Sequence, residues 1–138
     1  MTTMATEGSS GGASMAALRT VAVILAVSLM IGELWRSWGA GRPRMLVLDD
    51  QLMGGFLIVA AWAVQHETWR TRAAFSGAWG VVTGMLYLSF FGKVFEPAKV
   101  NAGNWDMGVL TWLLGVAFIS SILGLWFSMT LPMRHRDQ

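Results

Sequence analysis

Cysteine is absent from this chain, which excludes disulfides, thiolate nucleophiles, thiolate metal sites and dithiol redox chemistry. Charge is scarce: 13% of the 138 residues are Asp, Glu, Lys or Arg, about half of what a soluble domain carries. Histidine occurs only at His66 and His135, in no spacing that makes a zinc site and at no position that holds a bis-histidine haem in mid-membrane. The chain also lacks a Gly-rich phosphate loop, a Ser/His/Asp arrangement and an HExxH motif. No lysine stands mid-span for a retinal Schiff base. Catalysis has no support in these residues, and neither a metal nor a cofactor is expected.

Apolar residues fill the space that charge vacates. They make up 54% of the chain, beside sixteen glycines and eight tryptophans. A helix needs about 20 residues to cross the hydrocarbon core, so four crossings use about 80 residues and leave short loops. A β-barrel would show alternating segments of about 10 residues, whereas these runs are continuous. The sequence therefore predicts an all-α membrane protein, four transmembrane helices in a compact bundle, with helices at about 15–38, 44–69, 73–94 and 106–132. Residues 1–14 are small and polar and read as a flexible tail. Residues 134–138 read as a short basic one.

Residues 19–31 imitate the first parts of a signal peptide, but Glu33, Trp35, Arg36 and Trp38 crowd the place where a cleavage site needs small residues. An uncleaved first helix is expected. Glu33 and Arg36 are spaced to pair along it. Trp35, Trp38, Trp69 and Trp105 fall at predicted interfaces, where indoles prefer to sit. Trp62, Trp79, Trp112 and Trp126 fall within spans and need a partner for the indole N–H or a lean towards the headgroups. Asn104 or Asp106 is positioned to cap the fourth helix, and Pro43 suits the first turn of the second.

Carboxylates carry the sharpest functional question, because ionised groups in lipid are costly. The second helix has only fifteen uncharged residues, 51–65, about 22 Å at 1.5 Å per residue. It must reach back through Asp50 and Asp49 to span. Neighbours on a helix point about 100° apart, and Asp50 heads the smaller, more polar stripe through Gly54, Ile58, Ala61 and Gln65. Asp50 is expected to turn inward. Helix parity brings Glu33, Asp49, Asp50, Glu96, Arg36, Arg44 and Lys93 to one side of the membrane. Such a cluster is either charge compensation, with the aspartates paired to Arg42 or Arg44, or an ion or ligand site drawing on Asp49, Asp50, Glu33, Lys93 and Gln65.

Small residues mark the second feature. Ser76, Gly80 and Gly84 stand four apart on the third helix, and Ala117, Ser121, Gly124 and Ser128 share a face of the fourth. Such stripes let helix backbones approach closely. They support a non-enzymatic accessory or structural protein that packs with itself or with a membrane-protein partner. The alternatives are a small proton or cation pathway through Asp50, Asp49 and Glu33, and a lipid- or quinone-binding subunit. Membrane lipids are partners in every case. The basic residues sit at segment ends, which suits membrane anchoring and argues against nucleic acid. They divide evenly between the two sides, and Arg134 and Arg136 directly after a span tip the orientation towards both termini in the cytoplasm.

The segments Gly32-Glu33-Leu34-Trp35-Arg36-Ser37, Leu48-Asp49-Asp50, Ala78-Trp79-Gly80 and Tyr87-Leu88-Ser89-Phe90-Phe91-Gly92 resemble those of small uncharacterised bacterial four-helix integral membrane proteins. The resemblance covers most of residues 19–130. It implies a multi-pass protein of the cell inner membrane and carries no activity with it.

Overall fold

The computed structural model describes residues 7–132, with side chains from residue 12 onward. The tail expected over residues 1–6 and the basic tail with Arg134, His135 and Arg136 lie outside the described residues. The chain runs α1 (Glu7–Ser37), α2 (Arg44–Ala63), α3 (Trp69–Phe95) and α4 (Met107–Thr130). Short 3-10 turns at Val64–His66 and Pro97–Lys99 close α2 and follow α3. All four helices are long and apolar enough to cross a membrane. In lipid every backbone group must be satisfied within the protein, and a helix does so within its own segment.

Several helix ends differ from those expected. Helix α1 starts at Glu7, so residues 7–14 of the supposed tail are helical. Extending an existing helix adds one hydrogen bond per residue without a new nucleation cost. Helix α3 starts at Trp69 rather than near residue 73. Its N-terminus is a capping box: Thr68 accepts from the Thr71 amide while the Thr71 hydroxyl accepts from the Thr68 amide. Asp106 caps α4 through the amides of Gly108 and Val109. Pro43 stands just outside α2, as its N-cap.

The helices pack in chain order, α1 on α2, α2 on α3 and α3 on α4, and the bundle closes only loosely between α4 and α1. The α1–α2 contact uses small residues. Ala22 and Ala26 are fully buried, and a Cβ on Gly54 would stand 2.6 Å from Met30 Cγ and 3.2 Å from the Ala26 carbonyl. The α3–α4 contact pairs a large residue with none: Trp79 is fully buried, and a Cβ on Gly124 would meet its ring at 2.5 Å. Ala117, Ser121, Gly124 and Ser128 form the buried face of α4. Beyond Trp79, the Ser76 and Ser128 hydroxyls lie 3.0 Å apart. Close approach of this kind is the main source of helix association in lipid, where burying apolar surface yields little.

Gly80 and Gly84 behave differently from Ser76. A Cβ on either would meet nothing within 4 Å, and Gly84 is exposed. Only the Ser76 end of that stripe serves the bundle's own packing.

Exposed tryptophans form two groups. Trp35, Trp38 and Trp112 stand at the end where α1 stops and α4 begins; Trp62, Trp69 and Trp126 stand at the other. Trp62, Trp112 and Trp126 therefore look outward and have headgroups within reach. Trp105, expected in a belt, instead turns inward: its Nε1 donates to the Gly32 carbonyl at 3.1 Å.

Candidate functional site

Glu33 is the centre of the polar end of the bundle. It is 6% exposed, and both oxygens are taken. Arg36, one turn on, donates to Oε2 at 3.2 Å, and the Ser37 hydroxyl donates to Oε1 at 2.9 Å. The turn through Gly39 and Gly41 brings Arg42 back over the helix end, where its Nη1 also donates to Oε1. Arg42 is thus spent on Glu33, and the expected pairing of Arg42 with the aspartates is not made.

The α3–α4 loop seals the C-terminus of α1. Arg36 Nη2 donates to the Asn101 carbonyl at 2.5 Å. Asn104 Nδ2 donates to the Trp35 carbonyl at 2.8 Å and to the Trp38 carbonyl at 2.7 Å, and its amide reaches the Arg36 carbonyl. A helix end leaves its last carbonyls short of partners, and of the Trp35, Arg36 and Trp38 carbonyls only that of Trp35 also accepts from a local amide, that of Trp38. Gly103 makes the approach possible: its φ is +61°, and a side chain there would collide with the Arg36 carbonyl. Asn104 therefore caps the end of α1, whereas its expected place was the start of α4.

Lys93 is the second buried charge, 6% exposed, with Nζ donating to the Ser89 carbonyl at 3.0 Å. Its electrostatic neighbours are Arg36, Glu33, Arg42 and Asp50. Asp50 is half-buried and Asp49 exposed, so Asp50 is the one turned to the bundle. Among the described residues neither aspartate has an ion-pair partner. Glu96 leaves the expected cluster altogether, pairing with Lys99 at 2.8 Å in solvent. Arg44 is exposed as well. What gathers is Glu33 and Asp50 with Arg36, Arg42 and Lys93.

Gln65 lies at the opposite end of α2. Its Oε1 accepts from Arg19 Nη2 at 3.3 Å, while Arg19 Nε donates to the Ala61 carbonyl at 2.7 Å. Arg72 does the same for α4, donating to the Ser128 carbonyl at 3.0 Å and to the Leu131 carbonyl. Cations at helix C-termini also suit the helix dipole. Gln65 thus belongs to a helix-end contact remote from Asp50. His66 is exposed beside the Trp62 ring. Among the described residues no three His, Cys, Asp or Glu side chains are grouped to hold a metal ion.

A cavity of about 530 Å³ opens along the loose α1–α4 seam. Its walls are mainly apolar, with Leu25, Leu29, Leu110 and Leu114 among them, and its charged lining is Glu33, Arg36 and Asp50. A second cavity of about 450 Å³ continues the seam towards the other end, sharing Ser120, and no charged residue lines it. Volumes of this size are those of small-molecule sites. Together they form a lateral groove with one charged end and an apolar remainder.

Arg42, Asn101, Asn104 and Trp105 are the residues whose roles sequence reasoning missed. The Gly-rich turn before Arg42 and the Asn-Ala-Gly-Asn run were signals of close approach, but not of which helix end they would meet. Compared with known family models, curated proteins and solved structures, the chain matches none.

Proposed function

We propose that this chain is a non-enzymatic, multi-pass inner-membrane protein, an accessory subunit that holds a lipid-like amphiphile in the α1–α4 groove. The observation that carries this reading is the groove's polarity. Its charged groups, Glu33, Arg36 and Asp50, gather at one end of a cavity that is otherwise largely apolar.

The depth of that charged end fits an amphiphile lying as it does in a bilayer. Fourteen residues of α4 separate Trp112 from Trp126, about 21 Å at 1.5 Å per residue. Twelve residues of α2 separate Asp50 from Trp62, about 18 Å. Asp50 therefore lies within about one turn of the Trp112 level, where indoles mark the headgroup region. A polar head would meet the charges at the interface while its chain follows the apolar groove inward.

Native mass spectrometry of the full chain tests this. A lipid-like mass should remain bound after purification, and Ser120→Trp or Val116→Trp, which fill the groove, should remove it. A wild-type protein that is free of ligand at working lipid concentrations would sink the reading.

A second reading, self-association or a membrane-protein partner, rests on the outward stripe of Gly80 and Gly84, which the bundle leaves unfilled. A proton or cation route has less to draw on within one copy. Both Glu33 oxygens are engaged, Asp49 is exposed, and the second half of the groove has no charged lining. The proposal includes the resemblance to bacterial four-helix membrane proteins and an orientation with both termini in the cytoplasm.

A further inference from the structure

The geometry points to a phospholipid whose head carries a primary ammonium beside its phosphodiester, seated with the ammonium on Asp50 and the phosphate towards Arg36 and Lys93. This rests on the groove reading above and adds the chemistry of the head.

The argument starts from which groups at the charged end still have capacity. Glu33 has little, since its two oxygens accept three bonds, from Arg36, Ser37 and Arg42, and its charge is matched by both arginines. Asp50 lines the cavity, is half-buried and has no ion-pair partner among the described residues. Arg36 lines it too, with two nitrogens committed to Glu33 and Asn101 and a buried Nε–H that has no acceptor. Lys93 is buried with one carbonyl partner, Ser89, itself part of the lining. An ammonium has three donors, so Lys93 retains capacity for an anion. The cavity wall thus offers one unspent acceptor, Asp50 on α2, and one cation, Arg36 on α1, with the Lys93 ammonium on α3 set behind the Ser89 part of the lining.

No single-sign head answers both. An anionic head without an amine would suit Arg36 and Lys93 but leave Asp50 without a partner and add to the negative charge that Glu33 already sets near it. A cationic head without phosphate would answer Asp50 but add a positive charge where Arg36, Arg42 and Lys93 already outnumber Glu33 and Asp50. A zwitterion meets each with its opposite, and charge-assisted bonds are the strong ones. Between zwitterions, a primary ammonium donates to a carboxylate, whereas a trimethylated one has no N–H to give. The second cavity, with no charged lining, takes only chain.

The wild-type chain should be incubated with vesicles of equal parts of five lipids sharing the same acyl chains. Their heads are ethanolamine, its N-methyl, N,N-dimethyl and trimethyl (choline) forms, and glycerol, and bound lipid is read by native mass spectrometry. Ethanolamine lipid should be retained about tenfold over choline lipid, the scale of one charge-assisted hydrogen bond, with the methylated forms falling between. Asp50→Asn should flatten the series while lipid stays bound. A flat series in the wild type, or preference for the glycerol head, overturns the assignment, as does an unchanged series in Asp50→Asn. Because the methylation series needs no variant, it decides the question even if Asp50→Asn folds poorly. Retention of lipid with no head preference leaves the groove reading standing and removes only this inference. Retention of none removes both.

Discussion

Arg42 closes on Glu33 across nine residues of chain, and that one contact ties the α1–α2 turn to a carboxylate buried near the bundle mouth. With Arg36 it leaves Glu33 matched by two cations in a site from which water is largely excluded. Removing one member of such a pair leaves a buried charge unmatched, which costs far more than the pair contributes on balance.

Glu33→Ala should therefore destabilise the fold by about 3–5 kcal/mol. Thermal or denaturant unfolding in detergent would read it. A loss under about 0.5 kcal/mol, the scale of an exposed pair, would mean that water reaches Arg36 and Arg42 after all.

Gly103→Ala is expected to loosen the end of α1, a region the substitution does not lie in. The left-handed φ of Gly103 and its approach to the Arg36 carbonyl leave no room for a methyl group, so the loop must withdraw. Backbone strain of this sort costs about 1–3 kcal/mol. Amide exchange in residues 100–105 should speed up, and the side-chain caps on Trp35 and Trp38 should fail with it. Unaltered exchange there would show that the loop does not act as a cap.

Gly124 and Gly80 should respond in opposite ways. A methyl on Gly124 meets the Trp79 ring at 2.5 Å, and overpacking of a fitted contact costs about 1–3 kcal/mol. Gly80→Ala meets nothing and should leave stability unchanged or slightly improved, as Ala favours helix. Gly80→Leu with Gly84→Leu should leave the monomer folded while weakening self-association in a membrane assay. Undiminished association would remove that stripe from any interface.

Orientation is open to direct labelling, because the chain has no cysteine to interfere. Lys99 is exposed in the α3–α4 loop. A membrane-impermeant thiol reagent should reach Lys99→Cys from the non-cytoplasmic side of the membrane if both termini are cytoplasmic. Labelling from the cytoplasmic side alone would invert the topology.

The run lengths of apolar residues determined the four helices, since bilayer thickness fixes how many residues a span needs. Helix parity likewise brought Glu33, Asp50 and Lys93 to one end, and the i,i+3 spacing of Glu33 and Arg36 announced their pair. Which way each helix faces was harder to read. A soluble helix separates apolar from polar sides, but in lipid both sides are apolar, so periodicity alone ranks Gly80 with Gly124. The tertiary structure decided between them, putting Trp79 on Gly124 and leaving Gly80 and Gly84 outside. It also decided that Arg42 serves Glu33 instead of Asp50, and that Asn104 and Trp105 close the end of α1. Those are contacts between distant segments, set by where loops land once the helices have packed. The open seam between α1 and α4 belongs with them, because a groove is made where two helices pack only loosely.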